Sequence, residues 1–480
     1  MFDFFHGSVY QYMMFNQPIK QITCLFFVWL IMSAPVGSMT IQEEIKLGEV
    51  FSKQVCSHFP LIHDQDIIEY VRYVGERLLK NVPDKHFKFH FYVIREKSYN
   101  AFAGPGGHIF VHSGLIEAME SELELAGILS HEIAHVICRH ISERMEQTKP
   151  VSIAALAATI AGAFIGGSVG AAVMAGSAAA QQSVFLAYTR ENEREADQNS
   201  LRYLRDSGYN GRGLLSILQK IRKYSWVEVS GIPGYMMTHP AVTERLAYID
   251  TALNAKPEFD RSPIDLRSYD FKKIQIRLCA IYSDIYPTQL FKKNLKENPD
   301  DFLNHYGYGL RLMVSGKRKN ALTELTKALQ IRPFDSSILR DIGIAHLHLG
   351  DYDQAIKYLT SASNIVSNDI DCQFHIGLAR EKMGYLDAAA RLWERLLISY
   401  PDMNKLHYYL GNLYGKKGQT CDAHYHLGSY YFQKNQLKQA RYHLKKAKKA
   451  TEKSTSRYKE IEQMLKQMRK NADHGRSRQK

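Results

Sequence analysis

Cysteine is scarce in this chain, with six residues among 480. That is too few for a fold held together by disulfides. No two of the six are spaced as CxxC, which argues against a cysteine-based zinc site. Hydrophobic residues make up 45% and charged residues 23% of the chain. These values exclude a mostly disordered or fibrous protein, and the length favours two or three domains over one core.

The net charge of +13 is concentrated at one end of the chain. From Arg441 to Lys480 there are 14 Lys or Arg residues and 4 Asp or Glu residues, so the rest of the chain is nearly neutral. A nucleic-acid partner is therefore not expected. We interpret residues 451–480 as a basic C-terminal tail. Its charge indicates either a solvated helix face or a peripheral contact with an anionic membrane surface.

The apolar run near the N-terminus is short. It extends from Ile22 to Met32, follows Lys20 and precedes small residues. Eleven residues are too few for a stable membrane anchor but suit the apolar core of a signal peptide. We predict a signal peptide at residues 1–38 and a secreted protein, soluble or peripheral. A buried N-terminal helix is the alternative.

The second half of the chain repeats with a period of 34 residues. Three columns of small residues share this spacing: Gly309, Gly343, Gly377 and Gly411; Gly316, Gly350, Gly384 and Gly418; Ala321, Ala355, Ala389 and Ala423. This is the tetratricopeptide pattern, with small residues where two antiparallel helices touch and a turn glycine between them. We predict a repeat domain at residues 266–450 that binds a partner or substrate. A purely structural appendage is the alternative.

A candidate metal site lies in an apolar, proline-free segment that contains His131-Glu-Ile-Ala-His135. On a helix, His131 and His135 lie one turn apart on the same face and can bind one cation. Glu132 follows the first histidine and can take a proton from a water beside the metal. The pattern is typical of zinc peptidases, which need one further protein ligand.

The segment that begins at Arg190 supplies that ligand. A third histidine in the metzincin position is excluded, because Ile141 stands there. Glu193 and Asp197 lie four residues apart, so a helix presents both on one face. We predict that Glu193 binds the metal while Asp197 accepts a hydrogen bond from a ligand imidazole. Surface charges on an ordinary helix are the alternative.

Four motifs together resemble the HtpX/prenyl-protease family of zinc metallopeptidases. They are Asn-Ala-Phe-Ala-Gly-Pro-Gly-Gly-His-Ile from Asn100, His-Glu-Ile-Ala-His from His131, Glu-x-Glu-Ala-Asp from Glu193, and Thr-His-Pro from Thr238 with Arg245 downstream. The secretion signal and the C-terminal repeats narrow the resemblance to the periplasmic BepA type. The resemblance implies one Zn²⁺ per chain, held by His131, His135 and Glu193, with Glu132 as general base.

The same resemblance implies a role in the quality control of outer-membrane proteins. Unfolded or misassembled outer-membrane proteins would be the substrates. The β-barrel assembly machinery and LptD-type clients would be the partners. These partners follow from the family alone.

A loop with glycine and proline residues carries His239, which precedes Pro240. We predict that this imidazole is a fourth, inhibitory metal ligand that displaces the reacting water until the loop moves. A turn or surface residue is the alternative. Arg245, in the next helix, is predicted to stabilise the oxyanion once the loop opens; a surface salt bridge is its alternative.

Residues Ala101 to Val111 predict a strand that opens on a Gly/Pro turn. We assign its second part, Gly107, His108, Ile109, Phe110 and Val111, to pairing with an extended substrate, as an edge strand near a metal can do. An ordinary hairpin strand is the alternative. His140 lies five residues beyond His135, off the ligand face, and is interpreted as a hydrogen-bonded structural residue.

No charged residue occurs from Pro150 to Thr189, where Ala and Gly dominate. A single membrane crossing would separate His135 from Glu193 by a hydrocarbon core of about 30 Å. We favour a mobile lid at residues 150–189 over a hairpin that touches or enters the membrane.

These observations predict a mainly α-helical protein. An α+β metalloprotease domain of the zincin type, residues 39–265, places helices around a small sheet and precedes the helical repeats. The predicted function is that of a periplasmic zinc endopeptidase with chaperone activity in outer-membrane protein assembly. The alternative is a repeat-based chaperone or adaptor with a largely latent protease.

Overall fold

A computed structural model describes residues 39–146, 157, 188–227, 234–260, 268–367, 369–401 and 403–477. The predicted signal peptide and nearly all of the predicted lid lie outside these residues. The chain divides into two compact units after Ser268, with Gln65–Ile67 clustering with the second. None of the described helices combines the length and apolar character that crossing a membrane requires.

The first unit places helices around a small sheet. Its elements are α1 Ile41–His58, α2 Gln65–Leu79, β1 His90–Ile94, β2 Ala101–Gly104, β3 His108–His112, α3 Ser113–Ala118, α4 Glu122–Ile137, α5 His140–Glu146, α6 Arg190–Asp206, α7 Arg212–Val227, α8 Gly234–Thr238 and α9 Val242–Ala255. The strand order is β1-β3-β2, with β1 parallel and β2 antiparallel to β3. The predicted α+β fold of this half is confirmed.

The sheet and α1 share an aromatic core. Phe51 of α1 makes edge-to-face contacts with Phe102 of β2 and Phe110 of β3, at ring-centroid distances of 6.5 and 5.9 Å. Such contacts stabilise beyond the apolar area that they bury. Gly104 is required here, because a Cβ at this position would lie 2.1 Å from the Phe51 ring. The core therefore fixes β2 and β3 beside the helices that carry the metal motif.

Helix α4 is the central element of the first unit. Every residue from Glu124 to Val136 is buried. It packs closely against α7, since a Cβ on Gly127 would lie 2.6 Å from the backbone nitrogen of Leu214. A helix buried on all sides has no solvated face, so its polar residues must find partners inside the protein. Those partners form the site described below.

The second unit is a run of antiparallel helix pairs. Its helices are α10 Ser268–Tyr282, α11 Thr288–Glu297, α12 Phe302–Val314, α13 Arg318–Ile331, α14 Ser336–Leu349, α15 Tyr352–Ile365, α16 Ile370–Lys382, α17 Leu386–Ser399, α18 Asn404–Lys416, α19 Thr420–Gln433, α20 Leu437–Ala450 and α21 Ser456–Ser477. The predicted helical repeat fold is confirmed.

The glycine columns have the two physical roles that the period indicates. A Cβ on Gly343 would lie 2.7 Å from Leu359, so the first column lets paired helices touch. Gly350, at φ 88°, occupies the left-handed region that ends a helix. Asn435 stands at the turn position that glycine occupies in the other repeats, and it takes the same conformation at φ 55°.

The C-terminal end of the repeats differs from a free tail. Residues 451–480 contain α21, and its Ile461 and Met468 are buried with Ala440 and Leu444 of α20. The apolar face of α21 therefore packs against the last repeat helix, while its Lys459, Lys466 and Arg469 are exposed. No disulfide joins the five cysteines of the described part of the chain to one another.

Candidate metal centre

Helix α4 brings the two histidines of the metal motif together. The Nε2 atoms of His131 and His135 lie 3.0 Å apart, and both rings are buried. One helical turn separates the residues, so their side chains project from the same face. Both Nε2 atoms point toward the centre of a cluster that the next elements complete.

Helix α6 supplies two carboxylates to the same cluster. The helix begins at a capping box in which Thr189 and Asn192 satisfy each other's backbone amides. Glu193 Oε2 lies 3.5 Å from His131 Nε2, and Glu193 Oε1 lies 3.6 Å from His135 Nε2. Asp197, one turn later, has Oδ1 2.9 Å from His131 Nδ1. The two acids thus contact opposite nitrogens of the same imidazole.

The loop after α8 places His239 inside the cluster. His239 Nδ1 lies 3.0 Å from Glu193 Oε1 and 3.4 Å from His131 Nε2. Its other nitrogen, Nε2, lies 3.8 Å from Glu132 Oε1. The ring is fully buried, and Tyr235 stacks on it at a centroid distance of 4.3 Å. His239 is therefore neither exposed nor part of a surface turn.

The four side chains His131, His135, Glu193 and His239 fit a single metal ion. Their nearest ligand atoms all lie within 4.8 Å of one another. Bonds of about 2.0–2.1 Å in a tetrahedral site place neighbouring ligand atoms about 3.3–3.4 Å apart. The contacts between ligand atoms given above run from 3.0 to 3.6 Å. The donor set of three imidazoles and one carboxylate is one that zinc accepts.

Polar atoms without hydrogen-bond partners lie in the same place. In the described part of the chain, both carboxylate oxygens of Glu132 and Nε2 of His239 are buried without such a partner. Buried polar atoms in native proteins are almost always satisfied, so a group of exceptions at one point indicates a missing ion or water. This observation supports a metal centre beside Glu132 and His239.

Arg245 holds the carboxylates of the centre in place from behind. Its guanidinium donates to both oxygens of Asp197 at 2.8 Å and lies 2.5 Å from Glu193 Oε2. Tyr248 also donates to Asp197. Arg245 is 1% exposed, so the alternative of a surface salt bridge is wrong: the charge is internal because two buried carboxylates neutralise it.

The environment gives the two glutamates of the centre opposite pKa shifts. Burial raises the pKa of Glu132, although His239 and His131 oppose the rise. Burial acts in the same direction on Glu193, but Arg245 and His239 outweigh it and hold its pKa well below the usual range. A carboxylate that stays ionised suits a metal ligand, whereas a raised pKa suits a group that accepts and returns a proton.

The predicted substrate strand does not have a free edge, and this assignment is wrong. Residues 108–112 form β3, the central strand, which pairs with β1 on one side and β2 on the other. Its backbone hydrogen-bonding groups are therefore already used. Gly107 ends the 3₁₀ turn Pro105–Gly107 between β2 and β3. The alternative of an ordinary hairpin strand describes residues 107–111.

Sequence reasoning missed three aromatic residues that enclose the centre. Tyr188 stacks on His135 at a centroid distance of 3.8 Å, Tyr235 stacks on His239, and Tyr248 contacts Asp197. Helical spacing would have drawn attention to Tyr235 and Tyr248, which lie four residues before His239 and three after Arg245. Nothing in the sequence marks Tyr188, because it lies at the end of the uncharged segment.

Sequence families and curated relatives agree with this geometry. Residues 68–253 match Peptidase family M48, and residues 306–364 and 371–402 match tetratricopeptide repeats. The beta-barrel assembly-enhancing protease of Yersinia pestis is 27% identical over 374 residues, or 76% of each chain. The protein of that name from Escherichia coli (strain K12) is 26% identical over 77% of each chain.

A shorter relative supports the same assignment of the first unit. Metalloprotease LoiP of Escherichia coli (strain K12) is 30% identical over 164 residues, which cover 34% of this chain and 62% of LoiP. The family match at residues 68–253 includes α4, α6 and α9, the helices that carry the metal-centre residues. The first unit is therefore a metalloendopeptidase domain similar to Peptidase family M48, and tetratricopeptide repeats follow it.

Proposed function

We propose that this chain is a periplasmic zinc endopeptidase that cleaves misassembled or stalled outer-membrane proteins. The observation that carries the proposal is the buried cluster of three histidines and one glutamate beside the partnerless carboxylate of Glu132. The relatives named beta-barrel assembly-enhancing protease support the substrate class. By the same likeness, the β-barrel assembly machinery and LptD-type clients are its partners.

One Zn²⁺ held by His131, His135 and Glu193 would, when bound, polarise the scissile carbonyl and acidify water. Glu132 takes the proton from the attacking water and returns it to the leaving amine. Asp197 accepts a hydrogen bond from Nδ1–H of His131, which keeps the proton on Nδ1 and leaves Nε2 of that ring free for the metal. Arg245 neutralises Glu193 and Asp197 in the closed arrangement and stabilises the oxyanion when the His239 loop moves away.

We assign His239 to a closed, inactive state of the enzyme. Its ring lies between Glu132 and Glu193, where a water or a substrate carbonyl would have to enter. Glu132 and His239 are fully buried, so a peptide cannot reach them without movement of the loop. Of the described residues of the predicted lid, Ala157 and Tyr188 are buried as well. A lid at residues 150–189 remains our proposal for the segment between α5 and α6.

A variant of His239 tests the closed state. We expect His239→Ala to retain zinc, because three protein ligands remain, and to cleave an unfolded model substrate or itself faster than the wild type. Cleavage by purified protein is followed on gels at equal zinc content. Unchanged or slower cleavage by a folded, zinc-loaded variant would remove the inhibitory role.

The same burial favours a second candidate function. A repeat-based chaperone or adaptor with a largely latent protease would also have a closed centre. We propose residues 39–265 as the protease domain and the repeats from about residue 266 as the part that grips substrate or the assembly machinery.

A rescue experiment separates the two functions. We expect Glu132→Gln to fold and bind partners but to fail in a deletion strain, because it lacks the base that activates water. Full rescue by this variant would favour the adaptor.

A further inference from the structure

His140 is a buried histidine with no role in the function proposed above. Its ring is 1% exposed and contacts His135 at a centroid distance of 5.0 Å. Its Nδ1 atom lies 2.9 Å from Nδ1 of His135, and its Nε2 atom lies 3.3 Å from Glu195 Oε2. His140 therefore connects the rear nitrogen of a metal ligand to a carboxylate on α6.

A strained turn brings His140 into this position. Arg139 ends α4 in the left-handed region at φ 55°, a conformation that costs a non-glycine residue free energy. An ion pair with the buried Glu44, at 2.9 Å, holds Arg139 there. Without the reversal at Arg139, residue 140 would continue along α4 and lie off the face of His135. Strain of this kind persists where the resulting contact is useful.

The positions of the protons follow from the metal centre. Nε2 of His135 faces the cluster, so a metal there requires the lone pair of Nε2 and leaves the proton of a neutral ring on Nδ1. That Nδ1–H donates to Nδ1 of His140. A neutral His140 then carries its own proton on Nε2 and donates it to Glu195. The donor and acceptor roles agree along the whole chain from Glu195 to His135.

A second metal site around His140 is the alternative to this hydrogen-bonded arrangement. Cys138, His140 and Glu195 have potential ligand atoms within 4.8 Å of one another. A metal on Nε2 of His140 would leave this ring without a proton while Nδ1 accepts from His135, which demands an imidazolate. Burial also raises the pKa of the Cys138 thiol to about 12, with Glu195 adding to the rise, and the sulfur accepts a hydrogen bond from Asn199. The second site is therefore disfavoured.

We infer that His140 is a positioning residue for His135. It fixes the ring orientation and the tautomer of this ligand, as Asp197 does for His131 from the opposite side. Glu195, whose side chain is 60% exposed, orients His140 more weakly. This inference rests on the proposed function, because it requires His135 to bind the metal. Removal of such an outer partner commonly weakens metal binding about 10- to 100-fold.

Asparagine and glutamine substitutions separate hydrogen bonding from packing. The side-chain oxygen of Asn can take the place of Nδ1 of His140, whereas the end of a Gln side chain lies near the place of Nε2. We expect His140→Ala and His140→Gln to bind Zn²⁺ about 10- to 100-fold more weakly than wild type, and His140→Asn to remain within about threefold. The full-length apoprotein is titrated with Zn²⁺ against a chromophoric chelator, with folding checked by circular dichroism.

A matched control is available in the same unit. His112 is a buried histidine, 3% exposed, that contacts Ser98 rather than the metal cluster. His112→Asn should leave zinc affinity unchanged. The visible spectrum of the Co²⁺-substituted protein provides a second readout, because a reoriented His135 changes the ligand field. We expect this spectrum to change in His140→Gln but not in His140→Asn or His112→Asn.

Three results would overturn the inference while leaving the proposed function intact. The first is wild-type zinc affinity in folded His140→Gln. The second is equal weakening in the Asn and Gln variants, which would indicate packing alone. The third is a wild-type protein that binds two ions and loses one in Cys138→Ser, which would make His140 a ligand. A wild-type protein that binds no zinc would instead contradict the proposed function.

Discussion

The repeated helix contacts of the second unit bury different side chains from those at the centre of the first unit. At the centre of the first unit, the side chains of the metal cluster and its charged neighbours are at most 1% exposed: His131, Glu132, His135, Glu193, Asp197, His239 and Arg245. The paired helices of the second unit meet through buried Ala, Leu and Gly columns. Buried charges contribute little net stability, whereas close apolar packing contributes much. The first pattern therefore marks function and the second marks architecture.

The largest expected effect on stability concerns Arg245. In Arg245→Ala, Glu193 and Asp197 lose the cation that neutralises them and remain buried. We expect the first unit to lose about 3–5 kcal/mol of unfolding free energy. Arg190→Ala is the matched control: Arg190 is 72% exposed where it pairs with Glu244, and such pairs contribute about 0–1 kcal/mol. Urea unfolding of the zinc-free proteins measures the free-energy loss in both variants. Equal losses would contradict the expected difference between a buried and an exposed arginine.

A smaller effect is expected from acid in the repeats. The Nδ1 atoms of His407 and His426 lie 3.0 Å apart. Burial lowers the pKa of His407 to about 4, although the nearby Glu460 acts in the opposite direction. Burial lowers the pKa of His426 to about 3, and His407 and Arg457 lower it further. In the unfolded chain both pKa values lie near 6.5, so below this pH only the unfolded state takes up protons.

The repeat unit should therefore be fully stable above pH 6.5 and lose stability as the pH falls toward 4. Between pH 7 and pH 5 we expect a loss of about 2 kcal/mol per histidine. Urea unfolding at the two pH values measures this loss. A double variant, His407→Asn with His426→Asn, should show a shallower pH dependence. The same slope in the variant would assign the acid sensitivity to other groups.

The smallest effects concern two glycines of the repeats and have opposite signs. A Cβ on Gly377 would lie 2.2 Å from Nε1 of Trp393, so Gly377→Ala should destabilise by about 1–3 kcal/mol through overpacking. At Gly415 no described heavy atom lies within 4 Å of such a Cβ, and the residue is helical. Gly415→Ala should stabilise by up to about 1 kcal/mol. The thermal unfolding midpoints of the two variants test this expectation. Destabilisation by both substitutions would contradict the packing argument.

The parts of the fold that repeat could be predicted from the sequence. The period of 34 residues places the helix contacts at Gly343 and the turns at Gly350, because each column has one local physical cause. The His131–His135 spacing on α4 is equally local. Such features depend on neighbours within one or two helical turns, which a sequence pattern records directly.

The features that could not be predicted depend on partners distant in the sequence. The sequence predicted that Gly107 to Val111 would pair with substrate. The structure pairs β3 with β1 as well as with β2, so neither edge of β3 is free. The burial of Arg245 could not be predicted from its own neighbours in the sequence, because it depends on ion pairs with Glu193 and Asp197 of α6. The contact of His140 with His135 depends on the left-handed turn at Arg139. The sequence did not predict this turn, because the residue is not a glycine.

The most direct test is the zinc content of the purified full-length protein and its variants, measured by mass spectrometry and normalised to protein. We predict one zinc ion per wild-type chain and its loss in each of His131→Ala, His135→Ala and Glu193→Ala. Glu132→Gln and His239→Ala should retain the ion, because neither removes one of the three principal ligands. Full zinc retention in any of the first three variants, with the fold intact, would contradict the metal centre described here.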